Sequence, residues 1–340
     1  MQNGLVSPEV TVVIPTRNRW EMLEAYGLAA ALRQQDVAFE VVVVDDGSTD
    51  ETPQRLAALS DPRVRTVRDE PGSGVARARN AGVAVARGEW IAFLDDDDVW
   101  APNKLRVQLA AAARASADFV YSAAVHLDRE MRVLAAFAPP SPEGLRATLV
   151  SGTPIAAGAS NVIARRRLVE RVGGFDPLLP CLEDHECWVR MAAVAPAAAT
   201  DDVLVGYVQH ANSAHLTDVD GLLAAFGSYA RKYPAPTDVL GIRRHEARYL
   251  RWSAGQHRRA GRRVQATSLY LRAAVRLRRP RYAVNGLVQL AGERGLRLGR
   301  AAIPFRARRS SAPVPARSGQ RSPGEQFHLE SEPEWIDFYR

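Results

Sequence analysis

The stretch Gly88-Glu-Trp-Ile-Ala-Phe-Leu-Asp-Asp-Asp-Asp-Val-Trp100 decides how the rest of the chain is interpreted. Its apolar residues, Trp90 to Leu94, predict a buried β-strand, and four carboxylates, Asp95 to Asp98, follow at once. Ligands of open α/β sheets bind at the carboxyl ends of strands, and carboxylate oxygens suit Mg²⁺ or Mn²⁺ that bridge to phosphates. Taken alone, such a run is more typical of a solvated acidic turn. The surrounding sequence has to decide between these two interpretations.

Strand and helix patterns alternate around this stretch. Apolar, β-branched runs predict strands at residues 9–14, 39–44 and 64–67, and helical spacing predicts helices at 20–34, 53–59, 74–86 and 104–115. Further strands are predicted at 118–127, 160–164 and 202–209, and a helix from Glu183 that the alanine-rich residues 192–199 extend as far as Pro196. Continuous apolar strands alternating with helices indicate an α/β fold with a mostly parallel sheet flanked by helices.

Acidic residues also follow the second predicted strand. Asp45-Asp46-Gly47 closes that strand, where an acid can hydrogen-bond a ribose or base and glycine lets the backbone approach a ligand. An ordinary turn has the same composition. The first strand is followed neither by Gly-x-Gly-x-x-Gly nor by a Walker A motif, which argues against dinucleotide enzymes and P-loop NTPases.

Together these pieces resemble the inverting glycosyltransferases of family 2, which have the Rossmann-like GT-A fold. The resemblance covers about residues 9–215 and is carried in order by the segments Thr11–Asn18, Val43–Asp50, Ala78–Gly82, Gly88–Trp100, Gly173–Asp176, and Glu183-Asp184 with Trp188 and Arg190. It implies a GT-A domain, and the helical pattern of residues 240–298 separately predicts a C-terminal α-helical appendage.

The resemblance also implies a role for individual residues. Asp184 matches the catalytic base, and Glu183 beside it would tune its pKa by like-charge proximity. Asp97, Asp95 and His210 are the implied metal ligands, although a structural role is equally open for His210. The implied nucleotide-sugar ligands are Pro15, Thr16, Arg17, Asn18, Asp46, Arg79, Asn80, Asp95 and Asp96.

The implied reaction moves one hexose from a nucleotide-diphospho-sugar, such as a UDP-sugar, to an acceptor hydroxyl. Mn²⁺ or Mg²⁺ would stabilise the leaving diphosphate, and a carboxylate would take the acceptor proton. The expected acceptor is a cell-surface glycan, a lipid-linked saccharide or a small molecule. Processive relatives carry Gln-x-x-Arg-Trp, but Arg248 replaces the glutamine before Arg251-Trp252. We therefore expect the transfer of single sugars in cell-wall or polysaccharide biosynthesis.

Composition bounds the location of the protein. No run approaches the roughly 18 apolar residues of a spanning helix, and the first nine residues do not resemble a signal peptide. Two cysteines, Cys181 and Cys187, are too few for a disulfide framework, and with His185 they match no usual zinc spacing. We expect a cytoplasmic protein, and a peripheral position on the inner membrane face stays open as one option.

Charge divides the chain unequally. Residues 241–310 hold 19 Arg and 2 Glu, a net charge of +17, and residues 311–340 carry −2, so the total of +7 leaves −8 for residues 1–240. The basic segment is explained either by a solvated face or by contact with anionic membrane. The acidic remainder and the scarcity of aromatic residues among the arginines argue against nucleic acid as a partner.

These patterns predict three regions. Residues 1–235 would form the glycosyltransferase domain, 236–306 a basic helical appendage containing a helix pair at 248–260 and 264–277, and 307–340 a disordered tail. Within that tail, Glu334–Tyr339 is apolar enough to dock on the body or on a partner. The sequence leaves the oligomeric state open.

Two other functions remain open at this point. A sugar nucleotidylyltransferase is also metal-dependent and binds nucleotides, but it usually has a glycine-rich loop where this chain has Pro15-Thr-Arg-Asn18. A catalytically silent, transferase-like binding module is the other alternative, and the presence of both Asp97 and Asp184 argues against it.

Overall fold

The computed structural model describes residues 7–69, 72–152, 154–210, 219–233, 246–247, 249–251, 253–255, 257–258, 261–290, 326–329 and 331–340. These residues fall into two compact units. The first, here called the body, runs to His210 and includes the described residues from 326 onward. The second, the helical unit, contains those between 219 and 290.

Four parallel strands form the centre of the body. They are β1 (Val10–Thr16), β2 (Phe39–Asp45), β3 (Val64–Arg68) and β4 (Trp90–Phe93), in the spatial order β4-β1-β2-β3. Valine at every position from 41 to 44 is fully buried, because both faces of these strands are covered. The predicted α/β fold with a parallel core is confirmed.

Further strands extend the sheet beyond β4, most of them in antiparallel pairs and one pair, formed by residues 119–127 and 197–208, parallel. They are β5 (Val99–Trp100), β6 (Phe119–Leu127), β7 (Val133–Phe137), β8 (Ile163–Arg165), β9 (Ala197–Val208) and β10 (Gln326–Phe327). The sheet order is β10-β7-β6-β8-β4-β1-β2-β3, and β9 pairs with both β5 and β6. Because β5 pairs with β9, the start of β5, which follows the acidic run, lies beside the end of β9, which precedes His210.

Helices cover this sheet. The first begins as α1 (Trp20–Met22), continues through a π-helical segment, Leu23–Leu28, and ends as α2 (Ala29–Leu32). The Gly27 N–H in the π-helical segment donates to the Asp96 carbonyl at 3.3 Å, and a Cβ at position 27 would lie 3.0 Å from Asp96 Cα. Glycine therefore lets this helix approach the acidic loop. The others are α3 (Thr52–Ala57), α4 (Val75–Val85), α5 (Lys104–Ala115), α6 (Leu145–Ser151), α7 (Gly158–Asn161), α8 (Arg166–Arg171) and α9 (Glu183–Met191).

Two local predictions are wrong. The strand predicted at 160–164 begins only at Ile163, because Ser160 and Asn161 lie in the helical turn α7, where their side chains make buried hydrogen bonds. The alanine-rich residues do not extend α9, which ends at Met191. Ala197–Ala199 pair with β6 instead, so tertiary pairing overrides the helical preference of alanine.

The helical unit contains α10 (Val219–Lys232), α11 (Arg263–Leu277) and α12 (Arg281–Leu290), together with helical residues within 246–258. Leu250 and Ala254 pack against Leu269 and Ala273, so the two segments predicted to pair do contact each other. Helix α10 groups with this unit, whereas the sequence predicted it within the 1–235 domain. In the part of the chain that the structure describes, no helix is both long enough and apolar enough to cross a bilayer.

The predicted C-terminal disorder needs a correction. Gln326–Phe327 pairs with β7, and Glu334–Tyr339 forms a 3₁₀-helix whose Ile336 is fully buried. These residues are ordered because their apolar side chains pack on the body. The rest of the predicted tail, 307–325, lies outside the described residues.

Candidate active site

The carboxyl ends of β1, β2 and β4 meet at one edge of the sheet because these strands are parallel neighbours. Thr16, the last residue of β1, donates its hydroxyl to Asp96 Oδ2 at 2.7 Å. Asp46 follows β2, and its N–H donates to the Thr16 carbonyl at 2.9 Å. The two acidic clusters that the sequence singled out therefore lie on either side of Thr16.

Asp98 differs from the other three acids of its run because it is fully buried. It accepts hydrogen bonds from the Ser160 hydroxyl at 2.5 Å and from the Val208 N–H at 3.2 Å. Burial, together with the charges of Asp97 and Asp95, raises the pKa of Asp98 well above its usual range. Asp98 thus fixes the loop to α7 and β9, a role that the sequence analysis did not assign to it.

Asp96 and Asp97 respond oppositely to the same surroundings. Burial and the neighbouring Asp97 raise the pKa of Asp96 to about 7, although Arg19 and Thr16 oppose that shift. Burial alone would raise the pKa of Asp97, but the hydrogen bond with His210 and the charge of Arg19 hold it below its usual range. Asp97 is therefore the carboxylate that stays ionised.

Two positively charged or ionisable partners converge on Asp97 Oδ2. The Arg19 guanidinium lies 3.0 Å from it and 3.2 Å from Asp96 Oδ1, and His210 Nε2 lies 2.8 Å from it. Sequence reasoning missed Arg19. Its proximity to a run of four acids, which needs compensating charge, was the available signal.

Asp95, Asp97 and His210 are the side chains that could bind a divalent cation. Across the described residues, no group of three or more His, Cys, Asp or Glu side chains is placed to hold a metal ion. The donor types do fit, since Asp95 and Asp97 offer carboxylate oxygens and His210 an imidazole. The Arg19 guanidinium already supplies a positive charge beside Asp97, and the buried His210 Nδ1 has no hydrogen-bond partner in the described part of the chain. The donor types are therefore compatible with Mn²⁺ or Mg²⁺, but in their present positions these described residues do not form a cation site.

Arg79 connects the acidic run to α9. Its buried guanidinium donates to Asp95 Oδ1 at 2.5 Å and to Glu183 Oε1 at 2.6 Å, and it lies over the ring of Phe175. Burial alone would lower the pKa of Arg79, but Asp95, Glu183 and Asp184 raise it above its usual range. One permanently charged group thus holds the predicted metal side and the predicted catalytic side together.

The first turn of α9 presents Asp184. Leu182 begins this turn in the left-handed conformation, and the His185 N–H donates to Asp184 Oδ1 at 2.5 Å. Asp184 is half-buried, and its other oxygen would lie only 2.6 Å from a Cβ at Gly158, so glycine at this position leaves room for the carboxylate. Burial raises the pKa of the neighbouring Glu183 to about 7, and the charge of Arg79 opposes the shift while that of Asp184 adds to it.

A structural cluster supports α9. Asn80 accepts from the Phe175 N–H and donates to the Phe175 carbonyl, both at 2.8 Å. Arg190 donates to the Gly174 carbonyl at 2.6 Å, and Phe93, Phe175 and Trp188 form an aromatic cluster. The sequence analysis assigned Asn80 to the nucleotide. In the structure, its side-chain amide instead forms hydrogen bonds with the backbone of the Gly173–Asp176 segment.

The predicted nucleotide side lies between the loops that follow β1 and β2. Asp46 accepts from the Ser73 N–H at 2.6 Å and from the Gly74 N–H at about 3 Å, where α4 begins. Asn18 Oδ1 accepts from the Thr49 N–H at 2.7 Å. Pro15 is buried in β1, whereas Arg17 is exposed. Of these residues, Arg17 and Asn18 are the exposed ones.

Comparison with known proteins identifies the family. The sequence profile described as "Glycosyl transferase family 2" matches residues 11–137. The succinoglycan biosynthesis protein ExoO of Rhizobium meliloti (strain 1021) is 32% identical over 246 residues, which are 66% of this chain and 69% of that protein. This chain belongs to glycosyl transferase family 2. The predicted glycosyltransferase class is confirmed.

One further sequence relative and one solved structure are also similar to this chain. The UDP-Glc:alpha-D-GlcNAc-diphosphoundecaprenol beta-1,3-glucosyltransferase WfgD of Escherichia coli is 34% identical over 112 residues, 33% of this chain and 44% of that protein. The match thus spans less than half of that relative. The mannosyltransferase PcManGT from Pyrobaculum calidifontis, solved with GDP-Man and Mn²⁺, superposes with a TM-score of 0.53 at 22% identity, over 86% of this chain and 84% of that chain. The predicted GT-A fold is confirmed.

Proposed function

We propose that this family 2 enzyme transfers one hexose from a UDP-sugar to an acceptor hydroxyl, with inversion at the anomeric carbon and with a divalent cation on the diphosphate. The observation that carries the proposal is the Arg79 bridge. Its two hydrogen bonds, to Asp95 and Glu183, bring the base at Asp184 and the acids of the central motif to one side of the sheet. A base and a diphosphate site on either side of one sugar are what inversion in a single displacement requires.

The chemistry assigned to the protein is a proton transfer. As the acceptor oxygen bonds to the anomeric carbon, the bond from that carbon to the diphosphate oxygen breaks, and the acceptor proton passes to Asp184. Glu183 and Arg79 hold the first turn of α9 and so orient Asp184. Asp97, Asp95 and His210 would hold the cation, which stabilises the negative charge on the departing nucleoside diphosphate. Pro15, Thr16, Arg17, Asn18, Asp46 and Asp96 would line the nucleoside side.

Asp184→Asn tests the base. We expect transfer to fall by about 10²–10⁴-fold while UDP binding, measured by calorimetry, stays at the parental value, since amide and carboxylate have the same shape. Asp201→Asn, which changes an exposed acid on β9, is the matched control and should transfer normally. Transfer by Asp184→Asn at the parental rate would disprove the assignment.

A donor screen tests the reaction class. Thermal shifts with UDP-glucose, UDP-N-acetylglucosamine and GDP-mannose, with and without Mn²⁺, should show Mn²⁺-dependent stabilisation by one UDP-sugar. Family membership argues against the nucleotidylyltransferase alternative, which would release pyrophosphate from a nucleoside triphosphate and a sugar phosphate. A silent binding module would bind the UDP-sugar without transferring or hydrolysing it.

We propose that the acceptor is a lipid-linked saccharide, reached by docking of the helical unit on anionic membrane. In the described part of 219–290, Arg and Lys greatly outnumber the only acids there, Asp220 and Glu246. On α11, Val264 and Val275 are 71% and 77% exposed and share one helical face, and Leu287 on α12 is 56% exposed. Exposed apolar side chains among arginines suit an interface that is acidic at the headgroups and apolar below them. The name of the relative WfgD, which specifies a diphosphoundecaprenol acceptor, supports the same class.

Vesicle sedimentation tests this surface. The parental protein should sediment with vesicles containing phosphatidylglycerol and not with phosphatidylcholine alone. Replacing Val264 and Val275 by Ser should abolish sedimentation, whereas Val194→Ser, at an exposed valine of the body, should have no effect. Equal sedimentation of the double variant and its parent would disprove the surface.

A further inference from the structure

The C-terminal strap, defined as residues 326–329 and 331–340, packs on the part of the body that follows the acidic run. Its first residues, Gln326–Phe327, add an antiparallel edge strand to β7. Its 3₁₀-helix, Glu334–Tyr339, places Ile336 in a buried cluster with Val99 of β5 and Val208 of β9. The proposed function assigns no role to this segment.

Two hydrogen bonds fasten the strap to the backbone of β5 and β9. Trp335 Nε1 donates to the Val203 carbonyl at 3.0 Å, and the Tyr339 hydroxyl donates to the Trp100 carbonyl at 2.8 Å. Burial raises the pKa of Tyr339 to about 12, so its phenol keeps the proton that this bond needs. The strap therefore joins two strands that the sequence separates by about a hundred residues.

Those two strands are adjacent in sequence to the two residues of the Asp97–His210 contact. β5 begins directly after Asp98, and β9 ends two residues before His210. Val99 pairs with Gly206, and the Val208 N–H donates to Asp98, so the strands are also fixed to each other. The 2.8 Å contact between His210 Nε2 and Asp97 Oδ2 lies just before the start of β5 and just after the end of β9.

We infer that Trp335 and Tyr339 are positioning residues for the Asp97–His210 pair. By fastening Val203 and Trp100, they limit the movement of β9 against β5 and so hold His210 within reach of Asp97. The inference rests on the proposed function for the role of Asp97 in donor binding, but the geometry of the pair can be measured without it.

The test removes the two hydrogen bonds and keeps an aromatic ring at each position. In the full-length protein, the double substitution Trp335→Phe and Tyr339→Phe should weaken Mn²⁺-dependent UDP binding by about tenfold, as loss of supporting contacts around metal ligands usually does. The KM for the donor should rise in proportion, whereas kcat should stay near the parental value because Asp184 is held by other elements. Phe338→Ala, at a 57% exposed residue of the same 3₁₀-helix, is the matched control and should match the parent.

A second readout separates this inference from the proposed function. The imidazole nitrogen signals of His210, recorded by NMR without metal or donor, should shift in the double variant and not in Phe338→Ala. If the parent itself binds no UDP with Mn²⁺, the proposed function fails and the imidazole signals alone decide the inference. Unchanged His210 signals, or a lowered melting temperature with unchanged UDP affinity, would overturn it.

Discussion

The two acidic strand ends of the body differ in how their charge is compensated. After β2, Asp45 accepts from Arg68 at 2.5 Å and from the Ser48 N–H at 2.9 Å, and Asp46 accepts from the backbone at the start of α4. After β4, Asp95 shares Arg79 with Glu183. Asp96 and Asp97 share Arg19, and Asp97 also contacts His210. The first cluster is satisfied by Arg68 and by backbone N–H groups that it does not share with other acids, whereas the second depends on a few shared positive charges.

This difference indicates which cluster shapes a loop and which can take up a cation. A carboxylate that accepts two backbone N–H groups stabilises one backbone arrangement and gains little from an added ion. Buried acids with too little compensation retain protons, and here the pKa values of Asp96 and Glu183 are both raised to about 7. A divalent ion beside Asp97 would relieve that repulsion.

The largest effect is expected at Asp97. Asp97→Ala should reduce Mn²⁺-dependent UDP affinity by about 100-fold, because it removes the ionised carboxylate from the proposed cation site. Asp45→Asn should lower the stability of the protein but leave the ratio of UDP affinities with and without Mn²⁺ unchanged. Calorimetric titration of both variants measures the contrast. An equal loss of Mn²⁺ dependence in both variants would show that the two clusters do not differ in this way.

The next effect is expected at Asp46. Asp46→Ala should lower the free energy of unfolding by about 2 kcal/mol, because the N–H groups of Ser73 and Gly74 lose a charged acceptor. Urea denaturation measures this loss, with Asp201→Ala as a surface control. A stability equal to that of the control would mean that the loop before α4 does not depend on Asp46.

The sequence predicted the two acidic clusters but not the residues that form hydrogen bonds and ion pairs with them. Apolar strands that end in acids, set between helices, were enough to predict two acidic clusters at one sheet edge. The partners Arg19, Ser160 and Val208 were missed because their contacts depend on how distant segments pack. Asn80 was recognised by its motif, yet its amide bonds to Phe175, 95 residues away.

The C-terminal strap escaped prediction for a related reason. Its composition around 307–333 indicated disorder, while the apolar residues that dock it occupy a short stretch near the end of the chain. Their partners, Val203 and Trp100, lie 132 and 239 residues away. Local patterns carry no information about such contacts. The sequence therefore left open whether these residues dock on the body or on a partner.

A smaller effect is expected at Arg19, which supplies positive charge to Asp96 and Asp97. Without metal, Arg19→Ala should lower the free energy of unfolding by about 1.5 kcal/mol, since two carboxylates lose a charged donor. Adding Mn²⁺ should stabilise this variant more than the parent, because the ion can take the position that the guanidinium leaves. Thermal unfolding with and without Mn²⁺ measures both quantities. Equal stabilisation of parent and variant would separate Arg19 from the cation site.

The smallest effect is expected in the pH dependence contributed by Glu183. Its pKa of about 7 in the folded protein lies above the ordinary value of 4.5, so the folded state holds a proton that the unfolded state releases. The resulting stabilisation is fully present below the ordinary pKa and is lost as pH rises through about 7. Between pH 5 and pH 8, the melting temperature of Glu183→Gln should therefore fall less than that of the parent, by about 2–4 °C.

The control for this pH profile is Glu170→Gln, which changes an exposed acid on α8 that pairs with Arg166 at 3.1 Å. Its melting temperature should follow the parental pH profile, because Glu170 is exposed and its ion pair with Arg166 lies at the surface, where such pairs contribute little to stability. If Glu183→Gln follows the parental profile as closely as Glu170→Gln does, then Glu183 is ionised throughout this range. Arg79 would in that case compensate both Glu183 and Asp95 fully, and the excess negative charge would be confined to Asp96 and Asp97.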